Sequence, residues 1–179
     1  MAALAGQRIL VGVTGGIAAY KSADLVRRLR EAGAEVRVVM TEGARHFITA
    51  TTLQAVSGQV VRDSLWDATA EAAMGHIELA RWATRIVIAP ASANTLARLA
   101  YGFADDLLTT LCLASEAPLV LVPAMNRVMW AHPATRQNVS LLRERGALIL
   151  GPAEGDQACG ETGPGRMLEP LQIVQALSA

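Results

Sequence analysis

The sequence predicts a three-layer α/β fold in which helices cover both faces of a doubly wound parallel sheet. Its 179 residues suit a single domain spanning 1–179. Short runs of Val, Ile and Leu alternate with stretches that have the period of an amphipathic helix. Apolar residues make up 52% of the chain and aromatic residues only 4%, so small aliphatic side chains must form the core. The connections between these runs are short, as they are in β-α-β units.

The strand and helix patterns follow one another along the chain. Strands are predicted at Arg8–Val13, Glu35–Met40, Arg85–Ala89, Leu119–Val122 and Ala147–Leu150, and helices at Ile17–Ala32, Ile77–Ala83 and Leu171–Leu177. Residues 51–74 are less regular and predict a short helix, a brief strand near Val60 and Val61, then a loop. A Gly/Pro-rich stretch covers 151–170. The order indicates a flavodoxin-like or Rossmann-like sheet, in which ligands bind at the carboxyl ends of the strands.

Composition and charge argue against several classes of function. Sixteen basic residues balance sixteen acidic ones and no Lys/Arg-rich block is present, so a nucleic-acid partner is not expected. Cys112 and Cys159 form no Cys-x-x-Cys pair, which argues against metal sites and a disulfide framework. Lys21 is the only lysine. A pyridoxal-phosphate enzyme would need it for a Schiff base inside the first predicted helix, which disfavours that cofactor.

The apolar runs are too short for a membrane span. Arg85–Pro90 and Leu119–Pro123 both end in proline and fall well below the roughly 20 residues that cross a bilayer. The first seven residues contain no basic segment followed by an apolar stretch, so no signal peptide is predicted. We therefore expect a cytoplasmic protein without a membrane partner.

A glycine-rich turn follows the first predicted strand. In the segment Gly12–Ala18, glycines at 12, 15 and 16 let the backbone approach a phosphate at a helix N-terminus, although they are also consistent with a simple tight turn. Their spacing matches neither the Gly-x-Gly-x-x-Gly pattern nor a P-loop. After the second strand, Thr41 offers a hydroxyl that suits a phosphate. Glu42 follows it, and an acid at this point would suit a ribose, so a dinucleotide site stays an alternative.

Two polar motifs follow later strands. Pro90–Thr95 combines small residues with hydroxyl and amide groups, which suits a planar ring with polar edges. It suits a helix start capped by Ser92 or Asn94 equally well. Pro123–Trp130 contains Asn126, an uncharged amide that is able either to donate to a carboxylate or to cap a helix.

The remaining motifs contain a thiol and an imidazole. Cys159 lies in a stretch with glycines at 160, 163 and 165, which predicts a mobile loop that closes over a substrate. A surface linker is the alternative, but an exposed free thiol is prone to oxidation, which favours a functional use. His76 lies near a predicted helix start and is either a cap, a surface residue or a base that works at neutral pH.

Taken in order, these segments resemble the flavin-dependent cysteine decarboxylases, and in particular those that act on phosphopantothenoyl-cysteine. The resemblance extends from Gly12 to Pro170 and is carried by Pro90–Thr95, Pro123–Trp130 and Ala158-Cys159-Gly160. It departs from the family pattern at Glu161, where the family has Asp. Both side chains are carboxylates.

The resemblance implies FMN as the cofactor and no metal. It implies that FMN contacts a set of small or hydroxyl-bearing residues: Gly15, Gly16, Ile17, Ala18, Thr41, Ser92, Ala93, Asn94, Thr95 and Ala124. It also implies catalytic roles for His76 and Cys159, and substrate binding by Asn126, Met125, Gly160 and Arg166.

The implied reaction converts 4′-phosphopantothenoyl-cysteine to 4′-phosphopantetheine. FMN oxidises the cysteine thiol to a thioaldehyde that acts as the electron sink for loss of CO₂, and the same flavin then reduces the enethiol. In this scheme His76 assists the oxidation as a base or orienting group. Asn126 holds the carboxylate without a full ion pair, and Cys159 donates the final proton.

Other functions share parts of this pattern. A peptidyl-cysteine decarboxylase would use the same core, and a non-catalytic FMN-binding regulatory subunit would be expected to lack part of the His–Asn–Cys set. The Cys159 loop argues against a flavin prenyltransferase and a flavodoxin-like electron carrier. The resemblance further implies a homotrimer or homododecamer with flavin near the subunit boundary. It also implies a phosphopantothenate–cysteine ligase, fused or separate, so the chain is expected to be a stand-alone enzyme or half of a bifunctional protein.

Overall fold

A five-stranded parallel sheet forms the centre of the molecule. The computed structural model describes residues 2–67 and 75–179. The strands of the main sheet run in the order β2-β1-β3-β4-β5 and span Arg8–Val13 (β1), Glu35–Met40 (β2), Arg85–Ala91 (β3), Leu119–Pro123 (β4) and Leu148–Ile149 (β5). An antiparallel hairpin follows, formed by Ala153–Asp156 (β6) and Thr162–Arg166 (β7). The predicted doubly wound α/β fold is confirmed.

Helices fill the connections and cover both faces of the sheet. Their bounds are Tyr20–Glu31 (α1), Ala50–Ser57 (α2), Gly75–Trp82 (α3), Ala93–Tyr101 (α4), Leu107–Ala114 (α5), Arg127–Ala131 (α6), Pro133–Glu144 (α7) and Pro170–Ser178 (α8). Short 3₁₀ turns at Ile17–Ala19 and Glu42–His46 follow β1 and β2. Within 2–67 and 75–179, none of the helices is long and apolar enough to cross a membrane.

The core has two parts, one on each face of the sheet. On one face, α1, α2 and α8 pack over Ile9, Val11 and Val13 of β1. On the other, α3, α4, α5 and α7 pack over Leu10 and Ile88. Successive residues of a strand point to opposite faces, and both sets are fully buried. The apolar runs noted in the sequence are therefore strands covered on both sides.

The strand order creates a crevice between β1 and β3. β1 pairs with β2 on one side and β3 on the other, so the chain leaves β1 toward β2 and leaves β3 toward β4, in opposite directions. Thr14 Oγ1 donates to the Pro90 carbonyl at 2.6 Å and accepts from the Ser92 N–H at 3.0 Å. Ser22 Oγ donates to the Ala89 carbonyl at 2.8 Å. These bonds fix the two loops that border the crevice.

Several helix and strand boundaries differ from the predicted ones, and the reasons are local. The first helix begins with the 3₁₀ turn Ile17–Ala19 before α1. β5 has two residues instead of four because it lies at the edge of the sheet and pairs with β4 alone. The strand expected at Val60 and Val61 is replaced by a single bridge between Val39 and Arg62. The part of the predicted loop in 68–74 lies outside the described residues.

The Gly/Pro-rich stretch 151–170, for which no strand was predicted, contains a β-hairpin. β6 and β7 pair with Gly155 opposite Gly163. Gly155, Gly163 and Gly165 have φ values of 145°, 152° and 148°, a region that L side chains rarely adopt. The glycines therefore build a hairpin with an unusual backbone.

Candidate active site

A cavity of about 460 Å³ opens at the carboxyl ends of β1, β3 and β4. Its size is within the range of small-molecule and cofactor sites. Three loops of the main sheet supply one part of the wall, at Gly15–Ala18, Ser92–Ala93 and Ala124–Asn126. The β6–β7 hairpin supplies much of the rest, including Gln157 and Cys159. The cavity is therefore at the edge where parallel sheets bind ligands.

One end of the cavity suits a phosphate. Gly16 faces open space, since a Cβ built there meets no atom within 4 Å. Gly15 packs against the loop after β2, where a Cβ would lie 3.0 Å from the Gly43 backbone. The first N–H groups of a helix have no intrahelical acceptor and attract anions, and the first turn of α1 contains no acidic residue. The phosphate group of a cofactor fits this cradle.

Ser92 and Thr95 are tied to the start of α4. Ser92 Oγ accepts from the Thr95 N–H at 3.2 Å and lies 3.1 Å from Thr95 Oγ1, so Ser92 is the helix cap. Ser92 and Ala93 still face the cavity, whereas Thr95 is buried and Asn94 is exposed. The helix-cap interpretation and the ring-binding interpretation therefore apply to the same residue, Ser92.

Asn126 is held in one orientation by its neighbours. Its Oδ1 accepts from the Val128 N–H at 2.8 Å, which caps α6. Its Nδ2 donates to Glu161 Oε2 at 2.5 Å and lies 3.5 Å from Cys159 Sγ. The cap leaves the amide N–H groups pointing toward the hairpin, where they are able to bind a carboxylate.

Gln157 joins the hairpin to the backbone on both sides of Asn126, which lies in the loop after β4. Its Oε1 accepts from the Arg127 N–H at 3.1 Å, and its Nε2 donates to the Met125 carbonyl at 3.4 Å. Nε2 also contacts the Pro164 carbonyl of β7 at 3.3 Å. One side chain thus fixes the position of Asn126 relative to Cys159.

The thiols of Cys159 and Cys112 lie in different electrostatic environments. The hydrogen bond from Asn126, helped by the Arg127 guanidinium 3.1 Å away, lowers the pKa of the Glu161 carboxyl. Glu161 is therefore ionised at neutral pH, with Cys159 Sγ 3.7 Å from its Oε2. Burial of its thiol, together with the nearby Asp106 carboxylate, raises the pKa of Cys112 to about 12, although the residue as a whole is partly exposed. Cys112 is therefore chemically inert compared with the exposed Cys159.

A second group of charges lies where α1 meets the end of the hairpin. The buried Lys21 donates to Glu169 Oε1 at 2.7 Å and to the Met167 carbonyl at 3.2 Å. Arg166 lies 3.7 Å from the same Glu169 oxygen. Both cations line the cavity, so this wall carries more positive than negative charge.

The cavity brings together most of the residues that the sequence predicted. Those that line it are Gly15, Gly16, Ile17, Ala18, Ser92, Ala93, Ala124, Met125, Asn126, Cys159 and Arg166. Thr41, Asn94, Thr95, Gly160 and His76 are not among the lining residues. Thr41 instead caps the 3₁₀ turn after β2 by accepting from the Ala44 N–H, and His76 lies in the first turn of α3.

Sequence alone did not assign a role to eight further lining residues. They are Tyr20, Lys21, Met129, Asp156, Gln157, Ala158, Gly165 and Met167. Lys21 carried one signal, since it is the only lysine and follows the glycine turn closely. For Gln157 the signal was its position two residues before Cys159.

Comparison with known proteins agrees with this geometry. The model of the family described as Flavoprotein matches residues 2–179. The chain belongs to the flavoprotein family. This flavoprotein is 60% identical over 174 residues to the coenzyme A biosynthesis bifunctional protein CoaBC of Vibrio vulnificus strain YJ016, a match covering 97% of the chain and 43% of the relative. It is 59% identical over 171 residues to CoaBC of Escherichia coli strain K12, covering 96% and 42%. The chain thus spans less than half the length of these curated relatives.

Solved structures share the fold of the flavoprotein closely. A PPC decarboxylase mutant with a cysteine changed to serine, complexed with pantothenoylaminoethenethiol, has a TM-score of 0.85 and 36% identity over 96% of both chains. The FMN-dependent cysteine decarboxylase SpaF has a TM-score of 0.82 and 34% identity over 98% of both chains. The FMN binding protein AtHal3 has a TM-score of 0.82 and 36% identity, covering 96% of this chain and 94% of its own.

Proposed function

We propose that this flavoprotein is a carboxy-lyase of coenzyme A biosynthesis that uses FMN to convert 4′-phosphopantothenoyl-cysteine to 4′-phosphopantetheine. The observation that carries the proposal is the convergence of Asn126 Nδ2 and Cys159 Sγ, 3.5 Å apart on the cavity wall. A hydrogen-bond donor for the substrate carboxylate and a thiol that gives up a proton are the two groups that a cysteine decarboxylase needs beside its flavin. The names of the similar coenzyme A biosynthesis proteins and of the similar PPC decarboxylase support the substrate.

The cradle at Gly15–Ala18 would hold the FMN phosphate, and Ser92, Ala93 and Ala124 would contact the ring. Thr41, Asn94 and Thr95 stay predicted cofactor contacts, because no direct contact with the cavity supports them. When bound, FMN supplies reversible oxidation of the substrate thiol, which creates the electron sink for loss of CO₂.

The chain's own residues orient the substrate and transfer the proton. Asn126 donates a neutral hydrogen bond to the carboxylate, because a full positive charge would stabilise the ground state against decarboxylation. Cys159 delivers a proton to the carbon that has lost CO₂. Met125 and Arg166 contact the substrate from the cavity wall, and Gly160 contacts it from the hairpin turn.

Turnover by the purified chain tests the proposal. The FMN-loaded protein is incubated with phosphopantothenoyl-cysteine, and CO₂ and 4′-phosphopantetheine are measured by gas detection and mass spectrometry. A peptide ending in cysteine is assayed in parallel. Turnover of the peptide alone would identify a peptidyl-cysteine decarboxylase. FMN binding without turnover of either compound would identify a non-catalytic FMN-binding subunit. A protein that takes up no FMN contradicts the whole proposal.

We further propose a homotrimer or homododecamer with the cavity near a subunit boundary. Four apolar side chains near the cavity are exposed in the single chain, namely Ile17, Tyr20, Val128 and Met129. His76 does not line the cavity of its own chain, so we propose that a neighbouring subunit supplies it. Light scattering gives the subunit number. In mixed oligomers of His76→Gln and Cys159→Ser subunits, neither of which is expected to form 4′-phosphopantetheine alone, recovered formation of that product supports shared sites, and its absence contradicts them.

A phosphopantothenate–cysteine ligase is the proposed partner, either fused to this chain or separate. The bifunctional names and greater length of the curated relatives support this association. The mass of the protein isolated from its own cells distinguishes the two forms. Fractionation of the same cells tests the proposed cytoplasmic location.

A further inference from the structure

The Glu161 carboxylate is bound by the groups that the proposed function assigns to the substrate. Asn126 Nδ2 donates to Glu161 Oε2 at 2.5 Å, and Cys159 Sγ lies 3.7 Å from the same oxygen. The Arg127 guanidinium donates to the other oxygen, Oε1, at 3.1 Å. One carboxylate oxygen thus already contacts both the amide and the thiol.

The Asn126 amide has no unassigned donor in this arrangement. Its oxygen accepts from the Val128 N–H, which fixes the direction of the NH₂ group. An amide NH₂ has two hydrogens. One faces Glu161 and the other faces Cys159 Sγ at 3.5 Å. A substrate carboxylate therefore reaches Asn126 only if one of these contacts is broken.

Glu161 has room to move away from Asn126. Its side chain is 37% exposed, and it lies at the turn end of the hairpin immediately before β7. Its other partner, Arg127, is 47% exposed and belongs to a flexible side-chain type that is able to follow the carboxylate into water. Because the pKa of Glu161 is lowered, the group is charged and would repel a second carboxylate on the same donors.

We propose that Glu161 is an internal placeholder: it does not itself line the cavity, but its carboxylate occupies the amide donor of Asn126, which does, and the substrate must displace it to bind that donor. This inference rests on the proposed role of Asn126. The placeholder keeps Asn126 oriented before substrate arrives, and it lowers the apparent affinity for any ligand that brings its own carboxylate. Ligands without a carboxylate do not compete with it.

Two unreactive ligands isolate the effect of Glu161 on the binding of a ligand carboxylate. Phosphopantothenoyl-serine keeps the carboxylate but has a hydroxyl in place of the thiol, and phosphopantothenoyl-ethanolamine lacks the carboxylate. Their dissociation constants are measured by titration calorimetry on the FMN-loaded full chain. In Glu161→Gln the shape is kept but the charge is removed. We expect serine-ligand affinity to rise about three- to tenfold, the range for the net contribution of one hydrogen bond. Affinity for the ethanolamine ligand should not change.

Glu154→Gln is the matched control. Glu154 is an exposed acid of β6 in the same hairpin, and its substitution changes the net charge equally. An equal rise in serine-ligand affinity in this variant would show that the net charge of the hairpin causes the effect, and it would overturn the inference. Unchanged or weaker serine-ligand binding in Glu161→Gln would also overturn it. Weaker binding of both ligands would show instead that Glu161 only docks the hairpin.

The outcome separates this inference from the proposed function. If wild-type protein releases no CO₂ from phosphopantothenoyl-cysteine but the calorimetric difference is present, the function is wrong and the placeholder stands. If turnover is normal and the difference is absent, the function stands and the placeholder is wrong. A wild-type chain that binds neither ligand contradicts both.

Discussion

The backbone N–H of Met125 donates to the carbonyl oxygen of Gly165 at 2.9 Å, which joins the end of β4 to the hairpin. The approach is so close that a Cβ on Gly165 would overlap the Met125 carbonyl oxygen and the Gln157 amide. Gly165 also has a φ of 148°. The placement of Cys159 near Asn126 therefore depends on a position that accepts only glycine.

Gly165→Ala should separate the hairpin from the Asn126 loop. We expect kcat/KM for phosphopantothenoyl-cysteine to fall at least about tenfold, which corresponds to ~1.4 kcal/mol of transition-state stabilisation. FMN should stay bound, because the phosphate cradle is on another loop. Gly102→Ala is the control: Gly102 also has positive φ, at 72°, but has no atom near its Cβ position. Equal losses in both variants would contradict the docking role.

Gln157→Glu should disturb the orientation of Asn126. The new carboxylate loses the donor that contacts the Met125 and Pro164 carbonyls and places a negative charge close to Glu161. We expect KM for the substrate to rise about tenfold through loss of two hydrogen bonds of ~1 kcal/mol each, partly offset by solvent. Steady-state kinetics give the result. Gln137→Glu, on the exposed side of α7, makes the same charge change and should have no effect.

Asn126→Asp should abolish decarboxylation while leaving α6 intact. Aspartate is a good helix cap and keeps the bond to the Val128 N–H. The substrate carboxylate would then face two like charges, the introduced carboxylate and that of Glu161. We expect CO₂ release to fall more than about a hundredfold, ~2.7 kcal/mol, with FMN content unchanged. Flavin loss in this variant would instead assign Asn126 to cofactor binding or folding.

Cys159→Ser should allow CO₂ to leave but block the final protonation. We expect an enethiol product that is two hydrogen atoms lighter than 4′-phosphopantetheine, detected by mass spectrometry. The similar PPC decarboxylase mutant with serine for cysteine is complexed with an aminoethenethiol, which agrees with this expectation. Cys112→Ala should give the normal product, because the Cys112 thiol is inert. Release of normal product at full rate by Cys159→Ser would refute the proton-donor role.

Acid should weaken the docking of the hairpin through Glu161. The hydrogen bond from Asn126, with Arg127 adding to it, lowers the pKa of Glu161 in the folded protein from 4.5. A lowered pKa means that the charged group stabilises the folded form above about pH 4.5 and loses this effect as the pH falls further. Wild type should therefore have a higher Tm than Glu161→Gln at pH 6, and the difference should shrink as the pH falls below about 4.5. A difference that is constant from pH 3 to 7 would contradict the ion pair.

The main sheet was predictable because each strand carries its own signal. β1 and β2 have the predicted bounds Arg8–Val13 and Glu35–Met40, since both are apolar runs between turn residues. β6 and β7 carry no such signal. Their residues are mainly Gly, Pro and acids, which have low strand propensity, and only pairing across the turn makes them strands.

The residues of the candidate site were predictable only in part. Motifs that follow strands, such as Ser92 and Asn126, reach the cavity because parallel strands end at one edge. The bond between Asn126 and Glu161 joins residues 35 positions apart and depends on how the hairpin docks. Local pattern contains no information on that contact, so the sequence marks Glu161 only as a replacement for Asp.

The contacts of Lys21 limit how the cavity opens. This buried cation holds the Met167 carbonyl just beyond β7, and the Met125–Gly165 bond holds β7 itself. The backbone of the hairpin is thus anchored to α1 and to β4, whereas the turn around Cys159 and Gly160 is held to Asn126 and Arg127 through side chains. We expect ligand entry to require movement of this turn alone, with amide hydrogen exchange fast there and slow in β7. The thiol then travels with the entrance, so closure over a substrate and delivery of the proton donor are one motion.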